Sequence, residues 1–383
     1  MPRFAAIEGL RAWLAWAVVL SHISQSLGLE ISGGHTVWFE RAGGMAVTVF
    51  IAVSGFVIAG LVLDRQEPWP RYILRRAFRI FPAYWLSYAG ALIALPLGIL
   101  ALPHLTWGQD IAYTYDELLV SWAKAIADHP WRQLALHLTL FQGVVPDSVW
   151  PLTSTAALGP AWSLSLEWQF YLLAPIMVWL LMQDRYRMAT VLAIAGLALA
   201  FHGGLFGDYN LPSFLPGAGY IFLIGIACRI HFDQLKLMPI GPEVIPILVV
   251  LAFIVPDALW LIIWGGVLIY LLRAEAWSAS AAGRRIAAIM KGMFASSLAT
   301  YLGARSYSVY MVHFPIIMAM TSLIAPRWRL DQTGFFFALM LAVLPTTLLA
   351  SELLYRLVER PMIALGARLA GESRPKSVAQ AAE

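Results

Sequence analysis

The sequence predicts an all-α fold, a polytopic membrane helical bundle of about ten transmembrane helices. Of its 383 residues, 60% are hydrophobic and only 13% are charged, and the mean hydropathy is +0.72, more apolar than a single soluble core requires. The apolar residues also recur in stretches close to the roughly 20 residues that a helix needs to cross a bilayer. These stretches cover residues 10–29, 44–63, 80–102, 162–182, 188–206, 212–230, 243–256, 257–273, 298–324 and 334–357.

Three features qualify individual stretches. The first one follows Arg3, as a signal peptide would, but no small-residue cleavage site follows it, so we expect a retained helix. The seventh and eighth stretches must turn at Pro256 and Asp257. The single cysteine, Cys228, excludes an intramolecular disulfide and a multi-cysteine metal site, and we expect it to pack against apolar neighbours.

The distribution of cations predicts the orientation. Of 26 Lys and Arg residues, nineteen fall in the connections assigned to one side of the membrane and five on the other. The positive-inside rule therefore predicts that both termini are cytoplasmic. Because the excess is spread over many connections, the net charge of +4 needs no nucleic-acid partner to explain it.

The chain is predicted to form one transmembrane domain, residues 1–363, followed by a polar cytoplasmic tail, residues 364–383, that we expect to be disordered. The longest connection, 103–160, falls on the outer side in this topology and contains a predicted short interfacial helix at 131–141. Loops of this length are more often functional than idle, so we expect this loop to have a functional role.

The segment EGLRAWLAWAVVLSHISQ, residues 8–25, places two ionisable side chains in the first span. Eleven residues separate Arg11 from His22, which in a helix is about three turns plus 20°, so both point the same way at a separation of about 16 Å. Neither side chain suits lipid, and their face is predicted to look into the bundle. Alternatively, Arg11 pairs with Glu8 and His22 is an interior polar residue without a function.

A second cluster, RYILRRAFRIFPAYW at 71–85, places Arg75, Arg76 and Arg79 at the cytoplasmic entry to the third span. Their forked donors suit phosphate groups. The same arginines also satisfy the positive-inside rule, so from the sequence alone phosphate binding and membrane anchoring both stay open.

Two later spans carry further polar residues. Glu167 and Tyr171 stand four residues apart on one face of an apolar helix, where a carboxylate needs a partner, although a structural ion pair would also explain it. The segment LGARSYSVYMVHFPI, 302–316, adds His313, for which a second base, a metal ligand and a packing residue are alternatives. With no Cys or carboxylate at metal-ligand spacing we favour packing or hydrogen bonding, and we expect no metal.

Taken in order, these segments resemble the acyltransferase-3 family of integral membrane O-acyltransferases. The resemblance extends over residues 7–361 and implies the stand-alone type, without the SGNH hydrolase-like domain that some members carry. Glu8 and Ala12 depart mildly from the family pattern, which usually has aspartate and often glycine there. The matching segments are IEGLRAWLAWAVVLSH, FIAVSGFVI at 50–58, RRAFRIFPAYW, WSLSLEWQFYLLAP, LGARSYSVYMVHFPI and VERP at 358–361.

The resemblance implies transfer of an acyl group, commonly acetyl, from acyl-coenzyme A to a hydroxyl of a cell-envelope glycan or a small metabolite, in the bacterial inner membrane. His22 would act as general base or form a covalent acyl-imidazole. Glu167 and Tyr171 would assist it, and Ser54, Tyr310 and His313 are further candidates, with Gly55 allowing close helix packing. The donor phosphates would be held by Arg11, Arg75, Arg76 and Arg79.

Two other classes of function fit some of the same residues. A transporter or flippase of an envelope precursor would use intramembrane His, Glu and Arg to relay protons or bind a lipid-linked sugar. A non-catalytic subunit of an envelope-assembly complex would tolerate replacement of His22 and Glu167. Neither alternative explains why the family motifs occur in order.

Overall fold

The computed structural model describes residues 4–26, 37–105, 115–255 and 258–371. Within these ranges every regular element is a helix, which confirms the all-α prediction. The α-helices are α1 Ala5–Gln25, α2 Val37–Arg65, α3 Trp69–Ala101, α4 Tyr115–Asp128, α5 Pro130–Thr139, α6 Ala161–Met182, α7 Asp184–His202, α8 Leu215–Ile230, α9 Phe232–Leu235, α10 Val244–Ile254, α11 Leu259–Trp277, α12 Ala281–Phe294, α13 Ser297–Gly303, α14 Ser306–Ile324, α15 Gln332–Leu354 and α16 Arg360–Leu369.

Eight segments of the described chain are long and apolar enough to cross a membrane, compared with the ten predicted. Helices α8 and α10, with 16 and 11 residues, are short for a span, and α7 begins with the polar sequence DRYR. The turn predicted at Pro256 and Asp257 lies outside the described residues. The eight segments are Ala5–Gln25, Ala42–Arg65, Trp69–His104, Ala161–Met182, Leu259–Trp277, Ala281–Gly303, Ser306–Ile324 and Gln332–Leu369.

Most of one of these eight segments, Ala281–Gly303, was predicted as a connection. Residues 281–303 form α12 and α13. Those up to 297, with Arg284, Arg285 and Lys291, fall in the predicted cytoplasmic connection, and residues 298–303 begin the predicted span 298–324. Ser296 caps α13 by accepting a hydrogen bond from the backbone N–H of Ala299, so the two helices are separate. Alanines and apolar residues around the three cations are enough to make this segment helical.

Small residues let the central helices approach closely. Helix α2 packs along α8 and α1. A Cβ atom added to Gly55 would overlap the carbonyl oxygen of Phe222, and one added to Gly225 would overlap the carbonyl oxygen of Ala52. The predicted close packing at Gly55 is therefore confirmed, because the backbones of α2 and α8 approach to distances that only glycine permits.

The long connection between α3 and α6 is more ordered than the sequence suggested. The predicted helix at 131–141 is present as α5, and α4, which was not predicted, precedes it. The imidazole of His137 in α5 is fully buried, stacks on Tyr88 with ring centres 4.6 Å apart, and lies 3.1 Å from both the Tyr84 hydroxyl and the Thr153 carbonyl oxygen. These contacts fix the connection onto α3.

The C-terminal part of the described chain differs from the predicted disordered tail. A π-helical turn, Tyr355–Glu359, joins α15 to α16, and α16 continues past residue 363 to Leu369. It is ordered because it packs along α3, where a Cβ added to Gly366 would overlap the Phe78 side chain. The tail prediction was therefore wrong for residues 364–369, and residues 372–383 lie outside the described residues.

Candidate active site

A cavity of about 480 Å³ opens among the helices that carry the predicted site residues. Its walls come from α1, α2, α3, α6, α8, α14, α16 and the π-helical turn. Eight predicted site residues line it. Four of them are arginines, and the other four are Ser54, Glu167, Tyr171 and Tyr310. Six arginines line it, namely the four predicted site residues Arg11, Arg75, Arg76 and Arg79, together with Arg65 and Arg360.

The cavity has a cationic end and an inner end. Along α6 its lining residues run from Ser163 through Glu167 to Tyr171. The Arg76 guanidinium carbon lies 5.9 Å from the centre of the Tyr171 ring, so Tyr171 marks the arginine end. Ser163, two turns earlier on the helix, therefore marks the inner end, where Tyr310 of α14 faces it.

Three of the four predicted arginines already have carboxylate partners. Arg75 forms an ion pair with Glu67. The predicted pair of Arg11 and Glu8 is present but long, with 3.9 Å between Nη1 and Oε2.

Arg79 Nη1 lies 3.8 Å from Glu359 Oε1. No role was predicted for Glu359, although it lies in the VERP segment. The π-helical turn carries Glu359 into the bundle, where it is 2% exposed and accepts a hydrogen bond of 2.6 Å from the Ser308 hydroxyl. Turns of this kind often occur at functional sites. The available sequence signal was a carboxylate directly after an apolar helix.

Glu167 is satisfied by hydroxyl groups. Its Oε1 accepts hydrogen bonds from the Ser54 hydroxyl at 3.0 Å and from the Tyr171 hydroxyl. This joins α2 to α6 and explains how an apolar helix carries a carboxylate. Three predicted site residues, Ser54, Glu167 and Tyr171, thus form one hydrogen-bonded cluster on the cavity wall.

Two histidines from opposite parts of the chain meet in the bundle. His313 Nε2 lies 3.1 Å from His22 Nδ1, and His22 Nδ1 lies 3.0 Å from the carbonyl oxygen of Val18. His313 Nδ1 is likewise 3.2 Å from the carbonyl oxygen of Val309. A carbonyl accepts only, so both rings are assigned a proton on Nδ1. The His22 N–H is then shared between Val18 and His313, and His22 Nε2 keeps its lone pair.

The histidine pair lies just beyond the inner end of the cavity. The ring centres of His313 and Tyr310 are 5.8 Å apart, whereas neither His22 nor His313 belongs to the cavity lining. On the other side, the Phe314 ring contacts His22 at 5.4 Å between ring centres and Trp122 at 5.7 Å. The pair is therefore held between Tyr310 and an aromatic layer from α14 and α4.

No cluster of three or more His, Cys, Asp or Glu side chains that could hold a metal occurs in the described part of the chain. His313 has a histidine and a backbone carbonyl as its neighbours, which fits the predicted hydrogen-bonding role. This pair of nitrogen atoms is suited to proton transfer.

Comparison with known proteins supports the motif-based resemblance. The profile of the acyltransferase domain family, the acyltransferase-3 family, matches residues 4–352. The chain is similar to the acyltransferase MdmB of Streptomyces mycarofaciens, with 26% identity over 98% of this chain and 95% of that protein. No solved structure matches the chain.

Two further relatives are longer than this chain. A protein named putative O-acetyltransferase in Staphylococcus aureus is 23% identical over 94% of this chain and 57% of its own length. The putative peptidoglycan O-acetyltransferase YrhL of Bacillus subtilis is 23% identical over 94% of this chain and 55% of its own length. The chain thus spans little more than half of these two relatives. Since the family profile covers most of the sequence, this protein belongs to the acyltransferase-3 family and is an integral membrane acyltransferase.

Proposed function

We propose that the protein moves an acyl group, in the simplest case acetyl, from acyl-coenzyme A to a hydroxyl of a cell-envelope glycan or a related small acceptor in the bacterial inner membrane. The observation that carries the proposal is a cavity that is lined by six arginines and has a hydrogen-bonded histidine pair just beyond its inner end. A charged nucleotide and a thioester on a long, slender arm match that arrangement.

The arginine end suits the nucleotide. Arg76 and Arg79 bring planar guanidinium groups to one wall, and such groups bind phosphate through paired hydrogen bonds. Arg79 already faces the carboxylate of Glu359, so an anion is the kind of group that this end accommodates. We therefore propose that Arg11, Arg75, Arg76 and Arg79 bind the donor from the cytoplasmic side.

The length of the first helix fits the donor's arm. Arg11 and His22 lie on one face of α1, about 16 Å apart. A donor held by its phosphates at the arginine end would extend past Ser54 and Glu167 and bring its thioester to the inner end, beside Tyr310. Both α2 and α6 would line its path.

His22 is the proposed general base. Its Nε2 lone pair accepts the proton of the acceptor hydroxyl while the hydroxyl oxygen attacks the thioester carbon. His313 Nε2 accepts a hydrogen bond from the His22 Nδ1–H and thereby holds the His22 ring in the tautomer that keeps its own Nε2 free. The carbon–sulfur bond then breaks, and the departing thiolate takes the proton from His22. Ester and free coenzyme A are the products.

Donor binding and turnover by the purified protein test this proposal. We expect acetyl-coenzyme A to bind to both wild type and His22→Ala, but to be consumed only by wild type. It should bind to Arg76→Ala at least about tenfold more weakly than to wild type. Failure of wild type to bind any acyl-coenzyme A would contradict the proposal and favour a transporter, which need not consume a thioester.

A further inference from the structure

Two hydroxyl groups close the inner end of the cavity. The hydroxyl oxygens of Ser163 and Tyr310 are 2.8 Å apart, and each lies 3.1 Å from the carbonyl oxygen of Pro160. The three oxygens form a triangle at the start of α6, with Tyr310 contributed by α14. Both hydroxyl-bearing residues line the cavity.

The Pro160 carbonyl needs only one of the two hydroxyl protons in this triangle. Two hydroxyl protons serve three oxygens, and only Pro160 is restricted to accepting. If either hydroxyl donates to Pro160, the other is free to rotate its proton toward the cavity. The pair can therefore offer a hydrogen bond to a ligand while the Pro160 carbonyl stays satisfied.

The Ser163 and Tyr310 hydroxyls lie where the thioester carbonyl of the proposed donor would react. Three other polar side chains along the cavity already have charged partners, since Ser54 and Tyr171 bond to Glu167 and Arg79 faces Glu359. Tyr310 is also one helical turn from His313, with ring centres 5.8 Å apart. A thioester carbonyl at this end would thus have the two hydroxyls on one side and the histidine pair beyond.

We propose that Ser163 and Tyr310 form the oxyanion hole of the acyl transfer, an inference that rests on the proposed function. When the acceptor oxygen bonds to the thioester carbon, the carbonyl π electrons move to oxygen, and the resulting negative charge accepts a hydrogen bond from the hydroxyl of the pair that does not donate to Pro160. His22 takes the acceptor proton in the same step. When the C=O bond forms again, the carbon–sulfur bond breaks and the charge leaves the oxygen.

Such donors act mainly in the transition state, because the oxygen gains charge only there. Loss of one preorganised donor commonly lowers kcat by about 10²–10³. Ground-state binding of the donor, which depends on the arginines at the other end, should change little. A split between kcat and the dissociation constant therefore separates this role from a structural one.

The experiment measures release of coenzyme A from acetyl-coenzyme A by wild type, Tyr310→Phe, Ser163→Ala and the double variant. We expect kcat to fall about 100-fold in Tyr310→Phe and at least about tenfold in Ser163→Ala, with donor Kd within about threefold of wild type. The double variant should lose less than the product of the single losses, because the two hydroxyls act as a unit. Should Tyr310→Phe fail to bind the donor, Ser163→Ala, which removes only one oxygen, decides the question.

Tyr84→Phe is the matched control, since it removes another buried tyrosine hydroxyl that bonds to a histidine, outside the cavity. Its kcat should stay within about threefold of wild type. An infrared spectrum of bound donor labelled with ¹³C at the thioester carbonyl gives a second readout. The carbonyl stretch should shift to lower frequency in wild type and return toward its free position in Tyr310→Phe.

The outcomes separate the two proposals. Wild-type kcat in both single variants, with an unchanged carbonyl frequency, would overturn the oxyanion assignment and leave the proposed function intact. Absence of acyl-coenzyme A turnover by wild type would overturn the proposed function, and the oxyanion assignment with it.

Discussion

His313 Nε2 lies 3.1 Å from His22 Nδ1, although 291 positions separate the two residues in the sequence. The contact gives the two histidines different roles. His22 keeps a lone pair on Nε2. His313 Nε2 accepts a hydrogen bond from the N–H at His22 Nδ1 and so orients the His22 ring, as the third group of a catalytic triad orients its base.

This division of roles predicts unequal effects of substitution. His22→Ala should lower kcat by about 10²–10⁴. His313→Ala should lower it by at least about tenfold, and His313→Gln should recover part of the loss, because the amide oxygen can accept the same proton. Thiol release by the purified variants measures these effects. Equal kcat in His313→Ala and in a control variant of the exposed His202 would show that the contact is only structural.

The arginine end predicts a separate effect on binding. Arg76→Ala should raise the donor Kd by about tenfold or more, since hydrogen bonds to charged groups contribute about 1.5–3 kcal/mol. Arg76→Lys should recover only part of the affinity, because an ammonium group cannot bind phosphate through a planar fork. Titration calorimetry measures the donor Kd of wild type, Arg76→Ala and Arg76→Lys. The exposed Arg185→Ala is the control, and an equal loss of affinity there would argue for nonspecific charge attraction.

The hydroxyl partners of Glu167 predict a stability effect. Glu167→Ala leaves the Ser54 and Tyr171 hydroxyls without their acceptor, and each buried group so orphaned costs about 1–3 kcal/mol. Glu167→Gln keeps an acceptor oxygen and should be milder. The apparent melting temperature in detergent should therefore fall in the order wild type, Gln, Ala. A melting temperature for Glu167→Ala equal to that of the exposed control Glu243→Ala would refute this order.

Close packing at Gly55 predicts a steric effect. Gly55→Ala should sharply reduce the yield of monodisperse protein, because its Cβ would overlap the Phe222 carbonyl oxygen of α8. Gly44→Ala on the same helix is the matched control, since nothing lies within 4 Å of its added Cβ, and alanine favours helix by up to about 1 kcal/mol. Size-exclusion profiles compare the two. A normal profile for Gly55→Ala would mean that α2 and α8 are farther apart than described.

His137 predicts a dependence of stability on pH. Burial lowers the pKa of His137 to about 3, below its ordinary value of about 6.5. Between these values the unfolded chain binds a proton that the folded chain does not, so the His137 contribution to stability is full above pH 6.5 and declines as the pH falls toward 3. Wild type should lose melting temperature over this range more steeply than His137→Gln. Parallel curves would show that His137 is not buried as a neutral ring.

The sequence predicted those parts of the site that are local. Arg75, Arg76 and Arg79 lie within five positions, and Glu167 and Tyr171 lie one helical turn apart, so helix geometry alone brings them together. The apolar stretches likewise located most of the membrane helices. Where the sequence combined apolar residues with cations, as at 281–297, the predicted connection is helical and forms α12 and the start of α13.

Contacts between distant segments could not be derived in this way. The pairing of His22 with His313 depends on how α1 and α14 pack, and periodicity within one helix contains no information about it. Ser163 offered no signal either, because a serine near a proline at the start of a helix most often serves the backbone there. Glu359 gained its partners from a π-helical turn that no residue pattern announced.

Thiol release from acetyl-coenzyme A by purified wild type and His22→Ala is the most direct test of the account. We expect wild type to release coenzyme A at a rate at least about 100-fold above that of His22→Ala, while both proteins bind the donor with similar affinity. Equal rates of release from two folded, donor-binding proteins would contradict the assignment of His22 as the base.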